Sequence, residues 1–229
     1  MTLLLACSLT FGLLLLITPS TTNAPDLART FAEAHGAQYP GLAVPYRFAT
    51  ALEATEDHRF ASEPGVDPFA VGRVFYSYLS GRGDQGGATL YQQLAKMLYT
   101  PGRSGLAAKT EQVALAVKLK YGYSRPEVLR LYADVVYFGH GFYGLENASC
   151  GYFGLEPAQM SWPQAALLAG LVQGPSADDP IDHPAAGLAR EQHVIGRLVS
   201  VGAISHAQAR AYLAVPIGSL LGHAGGCRG

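Results

Sequence analysis

The sequence predicts a mainly α fold, one helical domain following an apolar amino-terminal segment. Three observations carry this. Apolar residues recur at helical spacing along most of the chain. Four Ser/Thr-x-x-Gln/Glu signatures mark helix starts, and runs of alternating β-branched residues are nearly absent.

The elements follow in order. Leu3 to Ile17 is almost wholly apolar, broken only by Ser8, Thr10 and Gly12, and no charge precedes Asp26. The run is slightly short of the roughly 20 residues that span a bilayer. It reads either as a retained anchor helix or as a signal peptide, and either places the domain outside the cytoplasm. The anchor reading is favoured because a basic flank is missing and Pro25 follows the best small-residue site, Thr22-Asn23-Ala24. Pro19 and the polar run Ser20 to Asn23 separate this segment from the rest. Asn23, Pro25 and Asp26 then give a cap, a first-turn proline and an acidic first turn. Thr89 with Gln92, Ser124 with Glu127, Ser161 with Gln164 and Ser205 with Gln208 each form a capping-box signature. The helix after Ser124 has an apolar stripe of Val128, Leu129, Tyr132, Val135 and Val136. Gly and Pro cluster at 80–87, 101–105, 139–144 and 174–187, which read as loops. The expected organisation is a segment at 1–22, a domain at 23–215 and a flexible Gly-rich tail at 216–229.

Composition narrows the function. The 229 residues are 49% hydrophobic, so a real core forms, but only 14% charged. So few charges fit a protein that hides surface or touches a membrane. The net charge of −1 gives no basic field for nucleic acid. Cys7, Cys150 and Cys227 are far apart and odd in number, and suggest neither a disulfide framework nor a metal cluster. The histidines show no close pair that would ligate zinc.

The scarce charges are clustered. Glu53, Glu56, Asp57, Glu63 and Asp67 lie within fifteen residues, offset only by Arg59. Crowded carboxylates are either a solvated acidic face or a way to make a general base. Lys96, Arg103, Lys109, Lys118, Lys120, Arg125 and Arg130 follow, seven of the sixteen basic residues. They read as solvated helix faces or as an anion site, which a helix amino terminus near Thr89 would extend. An acid facing a cationic cradle suits group transfer off a phosphate or pyrophosphate.

Several segments then resemble one family in order. Glu56-Asp57-His58-Arg59-Phe60 with Gly65-Val66-Asp67 resembles the first motif of the family 51 glycosyltransferases, the transglycosylase domain of penicillin-binding proteins. Gly86-Gly87-Ala88-Thr89-Leu90-Tyr91-Gln92-Gln93-Leu94-Ala95-Lys96 resembles the second. Ser124 to Tyr132, Tyr137-Phe138-Gly139 and Tyr152-Phe153-Gly154 continue the match, and Ala165 to Leu171 with Pro175 and Pro180 resembles the closing motif.

The resemblance implies a lysozyme-like α domain with a small membrane-facing lobe, monofunctional in type. It implies an inverting reaction in which the growing glycan strand, held on undecaprenyl pyrophosphate, is transferred to the sugar 4-hydroxyl of lipid II. By resemblance Glu56 is the catalytic base. Asp57, Arg59, Phe60, Gly87, Thr89, Gln92, Gln93, Lys96 and Lys109 fall on substrate-binding positions. No organic cofactor is implied; a divalent cation, Mg or Mn, could assist the pyrophosphate. The implied setting is the cytoplasmic membrane of a bacterium, with a transpeptidase or other cell-wall protein as partner.

The sequence departs from the family pattern at the second glutamate, where alignment places Gln112 beside Glu111. Glutamine hydrogen-bonds but carries no charge. Ala88, Met97 and the triplet Tyr132-Ala133-Asp134 also depart. The alternatives are a degenerate member that binds lipid-linked glycan without polymerising it and, further off, a lytic transglycosylase or muramidase.

Overall fold

The structure, a computed structural model, describes residues 11–60, 62 and 88–222. Among them the fold is helical and has no strand; Tyr137 and Tyr143 form an isolated antiparallel bridge. Two compact units divide the chain: Met1–Leu27 with Arg59–Val128, and Ala28–His58 with Leu129–Gly229.

The first unit is organised by α4 (Leu90–Tyr99) and α5 (Gly105–Gly122), which pack together. Leu90, Tyr91, Leu94, Ala95 and Leu98 form the buried face of α4. Residues 11–17 are helical, α1, and their Leu13, Leu16 and Ile17 are exposed. The chain after it is fastened to α5. Lys118 Nζ donates to the carbonyls of Thr18 at 2.7 Å and Pro19 at 2.9 Å, and Tyr123 Oη donates to that of Thr21 at 2.7 Å. The helix α2 (Ala24–Ala34) opens where Pro25 and Asp26 place it.

In the second unit α8 (Trp162–Leu171) is central. Pro163 and Ala165 to Leu171 are all buried, as expected for a helix apolar on every side. It packs against α3 (Tyr46–Glu56) and α9 (Pro184–Ser200), which also touch each other. The second half of α6 (Arg125–Val135), α7 (Leu145–Phe153), a 3-10 turn at Pro157–Gln159 and α10 (His206–Leu213) complete the unit. The loop between α6 and α7 requires glycine at 139: its φ is +90°, and a Cβ would strike the Pro175 carbonyl.

Two expectations change. Residues 216–222 are not a flexible tail: Ile217–Leu220 form a short helix, α11, and Leu220 is buried. The Leu220 carbonyl accepts from Gln164 Nε2 at 3.2 Å, and Gly222 N–H donates to the Tyr152 carbonyl at 2.8 Å. Cys150 is disulfide-bonded, its partner lying outside the described residues, so the cysteines are not all single thiols. Among the described residues no helix is long and apolar enough to cross a membrane; residues 1–10, where the expected anchor begins, lie outside them.

One core acid stands out. Glu191 on α9 is 1% exposed, and its Oε1 has no hydrogen-bond partner among the described residues. Burial pushes its carboxyl from 4.5 up to about 7. The folded chain therefore holds a proton that the unfolded chain releases between these values. This stabilisation is fully present below pH 4.5 and is lost as pH rises through 7. Glu191→Gln is expected to stabilise the protein by about 2 kcal/mol at pH 8 and to change little at pH 4. Thermal melts at the two pH values check this; a lower melting temperature at pH 8 would refute it.

Candidate active site

The sequence assigned the chemistry to an acid and to a group of cations. The acid stands on the second unit. Glu56 is the last residue of α3, whose buried Phe48, Ala51, Leu52 and Ala54 seat the helix. The end of α3 is held from α9, because Arg197 Nε donates to the Ala54 carbonyl at 2.9 Å. Asp57 caps the helix, 7% exposed, and its N–H donates to the Glu53 carbonyl at 3.0 Å. Tyr132 of α6 is buried close enough to feel the charge of Glu56. Burial first, and that charge second, push its phenol well above 10.0, so it stays neutral. The sequence marked Tyr132 only as one residue of an apolar stripe.

The cations stand on the first unit. Lys96 lies four residues after Gln92 and three after Gln93, so it neighbours both on the surface of α4. Thr89 and Gln92 form the expected capping box: Gln92 N–H donates to Thr89 Oγ1 at 3.2 Å, and Thr89 N–H donates to Gln92 Oε1 at 3.0 Å. The Gln92 carbonyl oxygen is thus engaged in starting the helix. Gln93 Nε2 donates to the Ala88 carbonyl at 3.3 Å. Lys96 is exposed and Lys109, near the start of α5, is half-exposed. Phe60 is wholly buried, its ring centroid 4.7 Å from that of Tyr91 and 5.7 Å from the Arg125 guanidinium carbon. Arg59 directly precedes it. Gly87, Glu63 and the Gly65-Val66-Asp67 segment lie outside the described residues.

The second-glutamate position is now explicit. Gln112 is buried, and its Nε2 donates to Thr100 Oγ1 at 2.8 Å, joining α5 to the end of α4. Glu111 pairs with Arg103 at 2.8 Å. Thr100 was invisible to motif reading, since a lone threonine after a helix has no signature. The cationic run is also partly structural. Lys118 holds backbone carbonyls and Lys120 lies 5.4 Å over the ring of Tyr91.

Metal ligation fits elsewhere. Among the described residues His140, Asp179 and Asp182 could share an ion, their ligating atoms lying within 4.8 Å of one another. None belongs to the expected site, where the described residues bring no such trio together. Asp179, moreover, already accepts from Ile181 N–H at 2.9 Å and lies 3.2 Å from His140 Nδ1.

A fold that is helical among the described residues, with an acid at one helix end and glutamines and a lysine along another, is the kind of scaffold the motifs implied. Residues 26–199 match the family model described as Transglycosylase, and the chain belongs to that family. Penicillin-binding protein 1A of Aquifex aeolicus is 32% identical over 219 residues, covering 86% of this chain and 30% of that protein. Penicillin-binding protein 1F of Bacillus subtilis is 35% identical over 167 residues, covering 72% and 23%. A Cupriavidus necator protein named as a transglycosylase is 29% identical over 202 residues, covering 88% and 87%. The chain therefore spans only 23–30% of the length of the two penicillin-binding proteins.

Because Gln112 braces two helices, Gln112→Met, which keeps the volume but removes the donor, is expected to destabilise the fold by about 1 kcal/mol. Thermal unfolding of the variant checks this; an unchanged melting temperature would show that the bond to Thr100 carries no net stability.

Proposed function

We propose that this chain polymerises lipid II into glycan strands by inverting transfer. The carrying observation is the family match over 26–199, which takes in both Glu56 and the Thr89–Lys96 segment. The 4-hydroxyl oxygen of the acceptor sugar attacks the anomeric carbon of the strand, and the bond from that carbon to the pyrophosphate oxygen breaks. Glu56 accepts the hydroxyl proton, and the pyrophosphate leaves with the bonding pair. A lysine point charge, Lys96, stabilises the charge developing on the leaving group. Neutral Tyr132 beside Glu56 adds no second negative charge there. A divalent cation at the pyrophosphate would lower the same barrier.

We place this reaction at the outer face of a bacterial cytoplasmic membrane. The Cys150 disulfide supports an oxidising compartment, and the exposed Leu13, Leu16 and Ile17 support contact with lipid. A transpeptidase or other cell-wall protein would act on the product. A second reading, lipid II binding without polymerisation, is favoured by one observation: Gln112 is uncharged and engaged, and Glu111 is paired.

The test is polymerisation of labelled lipid II by the full chain in detergent, beside Glu56→Gln. A ladder of strands reduced at least about a hundredfold in the variant, with unchanged melting, is expected. Retained activity in the variant would refute the role of Glu56. A folded wild-type chain that binds lipid II but yields no ladder would establish the second reading.

A further inference from the structure

The polar run at 18–23 reads in the sequence only as a break after the apolar segment, yet two helices grip it. Lys118 of α5 donates to the carbonyls of Thr18 and Pro19, and Tyr123, just past α5, donates to that of Thr21. Tyr99, the last residue of α4, donates from Oη to Asn23 Oδ1 at 3.0 Å. Burial first, and the nearby Tyr123 second, push the Tyr99 phenol up, so it stays a donor. Thr18 and Thr21 are buried, whereas an ordinary linker runs over the surface.

The gripped run joins two features of unlike character, all within the first unit. On one side α1 exposes Leu13, Leu16 and Ile17. Thr18 N–H still donates to the Leu14 carbonyl at 3.1 Å, so the grip begins where the hydrogen bonding of α1 ends. Lys118 brings its charge to the carbonyls at that point, the negative end of the helix dipole. On the other side stands the packed pair of α4 and α5. Lys96 lies on α4 one turn before Tyr99, and the bond from Gln112 to Thr100 ties the end of α4 to α5. A displacement of α1 therefore reaches the turn that carries Lys96 through bonds rather than through a loose chain.

A substrate on a lipid carrier gives such a joint a use. Its pyrophosphate is confined to one plane, the surface of the bilayer, and cannot move out of it to meet a misplaced lysine. In a detergent micelle the same group adjusts freely. Misplacement by about 1 Å can slow a reaction about a hundredfold. We propose that residues 18–23 are a rigid joint that sets the height of Lys96 above the lipid surface met by α1, with Lys118 as its positioning residue. This rests on the reading of the chain as a lipid II polymerase. Lys118 acts through the joint, its ammonium being engaged by two backbone carbonyls.

The test compares full-length wild type, Lys118→Met and Lys118→Arg in detergent and in vesicles of phosphatidylethanolamine and phosphatidylglycerol. Two signals are read. One is hydrogen exchange over 18–24, where the Thr18 and Ala24 N–H groups are bonded. The other is polymerisation of labelled lipid II. Lys118→Met keeps a long apolar stem and loses both donations. It is expected to speed exchange over 18–24 at least about tenfold. Its rate of polymerisation is expected to match wild type in detergent and to be at least about tenfold lower in vesicles. Lys118→Arg keeps the donors and is expected to restore both signals. The proposal is overturned if exchange in Lys118→Met is unchanged, or if exchange rises while activity in vesicles holds. Equal loss of activity in both media overturns it too, since a merely structural lysine would give that result. A wild-type chain that makes no strands in either medium defeats the polymerase reading, and with it the role of the joint in transfer. Slow exchange over 18–24 that is lost in Lys118→Met would still uphold the joint itself.

Discussion

The second unit depends on the enclosure of α8. This helix has no polar face, so its stability rests on being surrounded. Small residues make that enclosure close: a Cβ on Gly170 would stand 3.1 Å from the Cβ of Arg190 on α9. The alanines at 165, 166 and 169 let α3 and α9 approach in the same way. The position of Glu56 follows from this packing. It is the last residue of a helix whose place is set by an apolar segment more than a hundred residues away.

Helices packed this tightly leave their final carbonyls short of partners. Three arginines of the second unit answer that need. Arg47 Nη1 donates to the Met160 carbonyl at 3.0 Å, just past the 3-10 turn. Arg190 Nε donates to Gly170 near the end of α8 at 3.1 Å, and Arg197 Nε to Ala54 near the end of α3. A cation at a helix C-terminus satisfies the carbonyl and meets the negative end of the dipole. In a chain with 14% charged residues, much of the basic complement is architectural. Arg197 in this way holds the last turn of the helix that ends in Glu56.

This explains what was legible in the sequence. The capping boxes at Thr89, Ser161 and Ser205 form, and the Ser124 N–H donates to the Glu127 carboxylate at 2.7 Å, because a cap is a local bond between residues three apart and needs no tertiary information. The stripe after Ser124 is buried at Val128, Leu129, Tyr132, Val135 and Val136, as its spacing requires. What escaped was long-range. Lys118 bonds carbonyls a hundred residues away, and nothing near it distinguishes it from an anion ligand. Leu220 turns a Gly-rich tail into a packed end because Gln164 and Tyr152 meet that segment, which composition does not reveal. Gln92 was legible twice, as a cap and as a motif residue. Only the structure shows which of its atoms serves the cap.

The acids divide by the same logic. Asp179 is as buried as Glu191, yet it accepts from a backbone N–H and lies against His140, so its charge has partners. Glu191 and Asp134 each keep an oxygen without a hydrogen-bond partner among the described residues, and burial raises both carboxyls towards neutrality. Glu56 differs again, standing at the end of a helix and only half-buried. In the sequence these residues look alike among seventeen acids. Packing separates them, and an acid left unpaired in a core is as informative as one that lies on a motif.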